Sequence, residues 1–153
     1  MKNLLIVAFV LFSSTISFAQ GTVEDDNENG TSLVPILKDL EPYIEDIEGD
    51  GLEIVRMEID ILQTTKTTLR RLSSAYTYGV LVIGDYRFTD LNLKVYEKID
   101  GNWELVVQDL DYGKEAIVFV EPDESKEYLI EIISEETADG YLGGHYGLLI
   151  VHE

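Results

Sequence analysis

Carboxylates dominate the chemistry that this chain could do. Asp85 and Asp90 bracket one turn between apolar runs, and Asp109 and Asp111 stand at the end of another. If the two turns meet at one edge of the fold, several hard oxygen donors converge, as Ca²⁺ requires with its six to eight oxygen ligands. The spacing is not that of an EF-hand loop, and Asp is also an ordinary turn residue because it hydrogen-bonds its own backbone there. Glu131 with Glu135, or Glu121 with Asp123, could serve as acid and base on a glycoside. That leaves a small secreted hydrolase, acting on glycan or peptide, as an alternative. His145, beside Gly143 and Gly144, and His152 could join carboxylates around zinc. The sequence has no Cys, no Gly-x-Ser-x-Gly and no His-Glu-x-x-His, so no nucleophile or metallopeptidase partner is supplied to an imidazole. The expectation is a chain without catalytic activity.

Aromatic residues are the second resource. There are nine Tyr and one Trp, and Tyr76, Tyr78, Tyr86, Tyr96, Trp103, Tyr112 and Tyr141 could offer flat apolar faces with polar tips to sugar rings or peptide chains. The same residues are favoured in strands, where they pack across neighbours. Tyr96 and Trp103 flank one hairpin and are the pair expected to form a ligand surface.

Strands must position these groups. Between Tyr76 and Val151 the chain falls into short apolar runs, each ended by a turn-forming cluster. Tyr76, Tyr78, Val80 and Val82 alternate with Leu81 and Ile83, and Leu91, Leu93 and Val95 alternate with Asn92, Lys94 and Tyr96, which predicts one wet face. Asp100-Gly101-Asn102 marks a hairpin into Trp103 to Val107. Ala116 to Val120, Glu127 to Ile133 and Tyr146 to Val151 follow. Turn signals at this spacing, with no long intervening helices, predict a mainly β fold: an antiparallel, jelly-roll-like β-sandwich over 52–153. Within it, Val55, Met57, Ile59 and Ile61 alternate with Arg56, Glu58 and Asp60, which favours a strand, although Leu52, Val55, Ile59 and Leu62 would also make a helical stripe.

Ahead of the sandwich, Leu33, Ile36, Leu37, Leu40, Tyr43, Ile44 and Ile47 predict an amphipathic helix over 33–48. Ser32 is its expected N-cap and Gly49-Asp50-Gly51 its stop. Pro42 is expected to kink it or divide it in two. Its apolar face should dock on the sandwich, across an open end, or alternatively hold a partner protein.

The first nineteen residues have Lys2, an apolar run from Leu4 to Phe12, and small residues at Ser17 and Ala19. They predict a cleavable signal peptide cut after Ala19, since the apolar run is too short for a bilayer core of about 30 Å. A flexible acidic leader is expected over 20–32, including an Asn29-Gly30-Thr31 sequon. The chain would then be secreted or periplasmic, with no membrane anchor after cleavage. Loss of Lys2 takes the formal charge from −19 to −20, which excludes nucleic acid as a natural partner and favours cations and basic surfaces. With one domain's length and no disulfides, the chain is expected to be a single module.

Gly84-Asp85, Thr89-Asp90-Leu91-Asn92-Leu93-Lys94-Val95-Tyr96, Asp109, Val118-Phe119-Val120-Glu121-Pro122, Glu127-Tyr128-Leu129-Ile130-Glu131-Ile132 and Gly144-His145-Tyr146-Gly147-Leu148 together resemble the bacterial pre-peptidase C-terminal domain family. The resemblance covers about the second half of the chain and lies in strand grammar. It implies a small jelly-roll-like sandwich of exported proteins that accompanies a protease without being catalytic, some relatives binding calcium, collagen-like or carbohydrate surfaces. This chain carries no attached peptidase, and Asn92 stands where the family strand commonly has its second Asp.

Overall fold

The computed structural model describes residues 32–153. The expected signal peptide, its cleavage site, the sequon and all of the acidic leader except Ser32 lie outside the described residues. The rest is one helix followed by eight strands: α1 (Val34–Gly49), β1 (Glu53–Leu62), β2 (Thr65–Leu72), β3 (Tyr78–Gly84), β4 (Phe88–Ile99), β5 (Asn102–Asp109), β6 (Glu115–Val120), β7 (Lys126–Thr137) and β8 (Gly144–His152). They form two four-stranded antiparallel sheets, sheet A in the order β1-β8-β3-β6 and sheet B in the order β2-β7-β4-β5. The segment in question is thus a strand from Glu53 to Leu62, as its alternation favoured.

The core lies between the sheets. Sheet A supplies Val80, Val82, Val118, Leu148 and Ile150; sheet B supplies Leu91, Leu93, Val95, Ile130 and Ile132, all buried. The second set alternates with Asn92, Lys94 and Tyr96 because successive strand residues face opposite ways. Among the described residues only one strand connection stays within a sheet: the β4–β5 hairpin, whose two loop residues Asp100 and Gly101 have φ of 49° and 89°. That left-handed pair matches the twist of the flanking strands, which is why an Asp-Gly step sits there.

Sheet A is apolar on its other face too, which explains why β3 and β8 are almost continuously apolar. Leu81, Ile83 and Leu149 meet Ile36 and Leu40 of α1, with Tyr43, Ile44, Ile47, Ile54 and Ile59 around them. The helix therefore lies over the outer face of sheet A and not across an open end. Gly147 permits the close approach, since a Cβ there would lie 2.6 Å from Leu40 Cδ2. Pro42 sits inside a single helix. Buried or half-buried contacts on both sides of it hold the two halves on one sheet, offsetting a proline cost of about 3 kcal/mol. Ser32 is one position farther out than the N-cap, which is Leu33, yet its Oγ accepts the Val34 N–H at 3.2 Å.

Strand β1 inverts the usual arrangement. Its apolar row (Met57, Ile59, Ile61) faces the helix side, while Arg56, Glu58 and Asp60 point toward edge strand β2 of the other sheet. There Glu58 pairs with Arg56 and Arg70, and Lys66 Nζ lies 2.6 Å from Asp60 Oδ2. Inward-pointing charge of this kind closes a sandwich edge against further strand pairing.

Candidate functional site

At the β3–β4 turn Asp85 is fully buried and Arg87 nearly so. Arg87 Nε lies 3.0 and 3.1 Å from the two Asp85 oxygens, its Nη2 bonds Oδ2, and the backbone N–H groups of Arg87 and His145 donate to the same carboxylate at 3.1 Å. Burial alone would raise the Asp85 pKa, but the hydrogen bonds from Arg87 and His145 and the guanidinium charge outweigh it and hold it below the usual carboxylate range. The same hydrogen bond to Asp85 raises Arg87. Arg87 Nη2 also lies 2.5 Å from His145 Nδ1. A guanidinium can only donate, so Nδ1 is the acceptor and the ring proton sits on Nε2. Gly144 leaves the room for this, because a Cβ there would lie 2.7 Å from Asp85 Oδ1.

This geometry bears on the four aspartates. Asp85 faces a guanidinium. Asp109 accepts the Asp111 N–H at 3.0 Å through Oδ1 and the Ile117 N–H at 2.8 Å through Oδ2. Asp90 Oδ1 receives the Gly113 N–H at 3.4 Å, and Asp111 is exposed in the same β5–β6 connection. The structure thus brings Asp90, Asp109 and Asp111 around one loop and commits Asp85 elsewhere. Among the described residues no three His, Cys, Asp or Glu side chains are gathered to hold a metal ion. As arranged, Asp85 is committed to the Arg87 guanidinium, and Asp109 accepts backbone amides through both oxygens.

The other expected groups are dispersed. His145 and His152 occupy the two ends of β8, about 24 Å apart at roughly 3.4 Å per residue. His152 stacks on Tyr76 with ring centroids 4.0 Å apart. Glu131 and Glu135 stand about 14 Å apart along β7 by the same rise, well beyond the spacing of a glycosidase pair. Glu121 and Asp123 line a shallow depression of about 350 Å³ with Ser74, Tyr76 and Pro122. Tyr78 is buried, Tyr86 packs edge-to-face on Tyr141 at 5.7 Å, and Tyr112 is exposed, its hydroxyl donating to Glu136 at 3.2 Å.

Tyr96 and Trp103 do share a surface. In the β4–β5 register Tyr96 opposes Leu105 and Lys98 opposes Trp103, which puts both rings on the outer face of sheet B as diagonal neighbours, about 7–8 Å apart by strand geometry. The ring of Trp103 carries the Lys98 ammonium 5.5 Å from its centroid. The Tyr96 hydroxyl donates to Glu131 Oε2 at 2.7 Å. Burial, that hydrogen bond and the Glu131 charge push its pKa up to about 12. On the same face, four residues back along β4 from Tyr96, Asn92 Oδ1 is buried without a hydrogen-bond partner. No described helix covers this face, whereas α1 covers the outer face of sheet A.

Sequence reasoning missed Arg87, whose Asp-x-Arg spacing after Gly84 was the available signal, and the β1–β2 ion pairs.

No family model matches the chain, and no curated protein matches it. A solved structure that aligns with it, titled "Crystal Structure of GEBA250068378 from Sulfurospirillum deleyianum", does so with a TM-score of 0.41 at 6% identity, over 63% of this chain and 96% of that one.

Proposed function

We propose that this chain is an exported, non-catalytic binding module whose ligand surface is the outer face of sheet B, with Tyr96 and Trp103 stacking on a carbohydrate ring or an extended protein segment. One observation carries the reading: the two aromatic residues that flank the hairpin share the sheet face that α1 leaves open. The likeness to the pre-peptidase C-terminal domain family supports an exported accessory role. The strand order, β1-β8-β3-β6 over β2-β7-β4-β5 with all but one connection crossing between sheets, supports a jelly roll. Calcium enters this proposal only through Asp90, Asp109 and Asp111, whose carboxylates an ion would have to draw together. A protein-interaction role through α1 has its own support: Val34, Leu37, Ile44 and Met57 line an open groove of about 460 Å³ between helix and β1.

Trp103 is the chain's one tryptophan, so its emission reports on the proposed surface directly. Titration with soluble oligosaccharides and with peptides should shift that emission saturably for at least one class. Trp-independent binding that survives Tyr96→Ala and Trp103→Ala would overturn the assignment of the face.

A further inference from the structure

The four edge strands are not equally protected. Strands β1 and β2 face each other through ion pairs, and β5 carries a bulge opposite Val95 and Tyr96. Strand β6 has neither device: of its six residues only Glu115 is charged, and Ile117 and Phe119 stand 47% and 65% exposed. An exposed apolar edge is a template for strand pairing.

The direction of its free backbone groups follows from two hydrogen bonds. Gly84 N–H donates to Lys114 C=O at 2.7 Å, so the even-numbered residues of this segment face β3. Ile117 N–H points the other way, into Asp109 Oδ2 at 2.8 Å. By the two-residue period Phe119 N–H and C=O also point outward. Alongside lies an open groove of about 540 Å³ between β5 and β6, lined by Val107, Leu110, Ile117 and Phe119 among others.

We propose that β6 is a strand-addition site for an extended segment of a partner protein, apolar at alternate positions and flanked by Lys or Arg, with Asp109 holding the edge closed in the free chain. In this mode main-chain hydrogen bonds give affinity and the adjoining groove takes alternate side chains. The occupant is basic because Glu115 lies exposed at the start of the strand and Asp111 and Glu121 lie exposed on either side of it. A second copy is disfavoured for the same reason, since self-pairing would bring two acidic edges of a chain with formal charge −19 together. This site is distinct from the outer face of sheet B.

The test uses the purified full chain and the capped peptide Lys-Thr-Val-Thr-Val-Thr-Lys, with Lys-Thr-Pro-Thr-Pro-Thr-Lys as control, and reads affinity together with amide hydrogen exchange. The first peptide should bind and slow exchange at Phe119, while the proline peptide should not. Asp109→Ala, which frees the Ile117 N–H, should tighten binding by about tenfold, and Phe119→Pro should weaken it by at least that factor. Phe119→Pro removes the ring and an outward N–H but no hydrogen bond to β3, so the β3–β6 ladder survives. Phe119→Ala keeps that N–H and should retain more affinity than the proline variant; should Phe119→Pro fail to fold, Phe119→Lys replaces it. No binding by either wild type or Asp109→Ala, binding unchanged in Phe119→Pro, or protection located elsewhere would overturn the site. A wild-type dimer in sedimentation that Phe119→Pro abolishes would overturn the choice of occupant.

Discussion

Asp85 and Arg87, two residues apart in the β3–β4 turn, form a buried ion pair in which one guanidinium nitrogen reaches both carboxylate oxygens, at 3.0 and 3.1 Å. The pair ties the turn to the first residues of β8, because His145 N–H donates to the carboxylate and Asp85 N–H donates back to His145 C=O at 3.0 Å. One end of the sheet packing therefore depends on charges withdrawn from water.

Removing one partner strands the other. Asp85→Ala should destabilise the fold by about 3–5 kcal/mol, whereas replacing both residues by apolar ones of similar volume should cost less than that single change. Urea unfolding of the two variants measures the difference. The loss in Asp85→Ala should also be equal with calcium and with a chelator, because its partner is a guanidinium.

The same pair sets an acid limit. The folded pKa of Asp85 lies below its unfolded value, so its contribution is fully present above the unfolded value, near 3.9, and is lost as pH falls through the folded one. Wild-type stability should therefore fall more steeply below about pH 4 than that of the double apolar variant. Unfolding curves across acid pH would show parallel slopes if the pair were immaterial.

Tyr96 predicts an alkaline counterpart. Its phenol is raised to about 12 in the fold, against about 10 in the unfolded chain. Protonation at Tyr96 thus contributes stability below pH of about 10 that is lost as pH rises toward the folded value. Phenolate absorbance should show a late-titrating group that is missing in Tyr96→Phe and shifted down in Glu131→Gln.

The helix tests its own role. Leu40 is buried against Gly147, so Leu40→Ala should cost about 2–5 kcal/mol. A helix serving only as a docking segment would leave the melting temperature unchanged.

Calcium is tested separately at the β5–β6 loop. A site there should raise stability by about 2.7 kcal/mol at a hundredfold excess over its dissociation constant, and Asp90→Ala should remove that rise. An identical melting temperature with calcium and with chelator would end the proposal.

Strands were legible where one face is wet, as in Leu91 to Tyr96, because alternation is imposed by a single buried face. Strand β3 was legible too, although both its faces are covered. What the sequence left open was where the helix goes, since two apolar faces on one sheet look like one continuous apolar run. Residues 52–62 were ambiguous because the apolar row of β1 faces the helix while its charges face β2. The hairpin that sets Tyr96 and Trp103 on one sheet face was legible from local spacing alone. The aspartates were harder: Asp85 and Asp90 are neighbours in sequence, but Asp85 is turned inward by Arg87, and no local pattern announces a partner that acts through burial.

The central claim is that the open face of sheet B binds ligand through Tyr96 and Trp103. It is tested most directly by screening immobilised glycans and peptides with the wild-type chain, Tyr96→Ala and Trp103→Ala, after circular dichroism confirms that all three are folded. At least one ligand class should be bound by the wild type and lost in both variants. Binding that persists in both, or no binding across the panel, would contradict it.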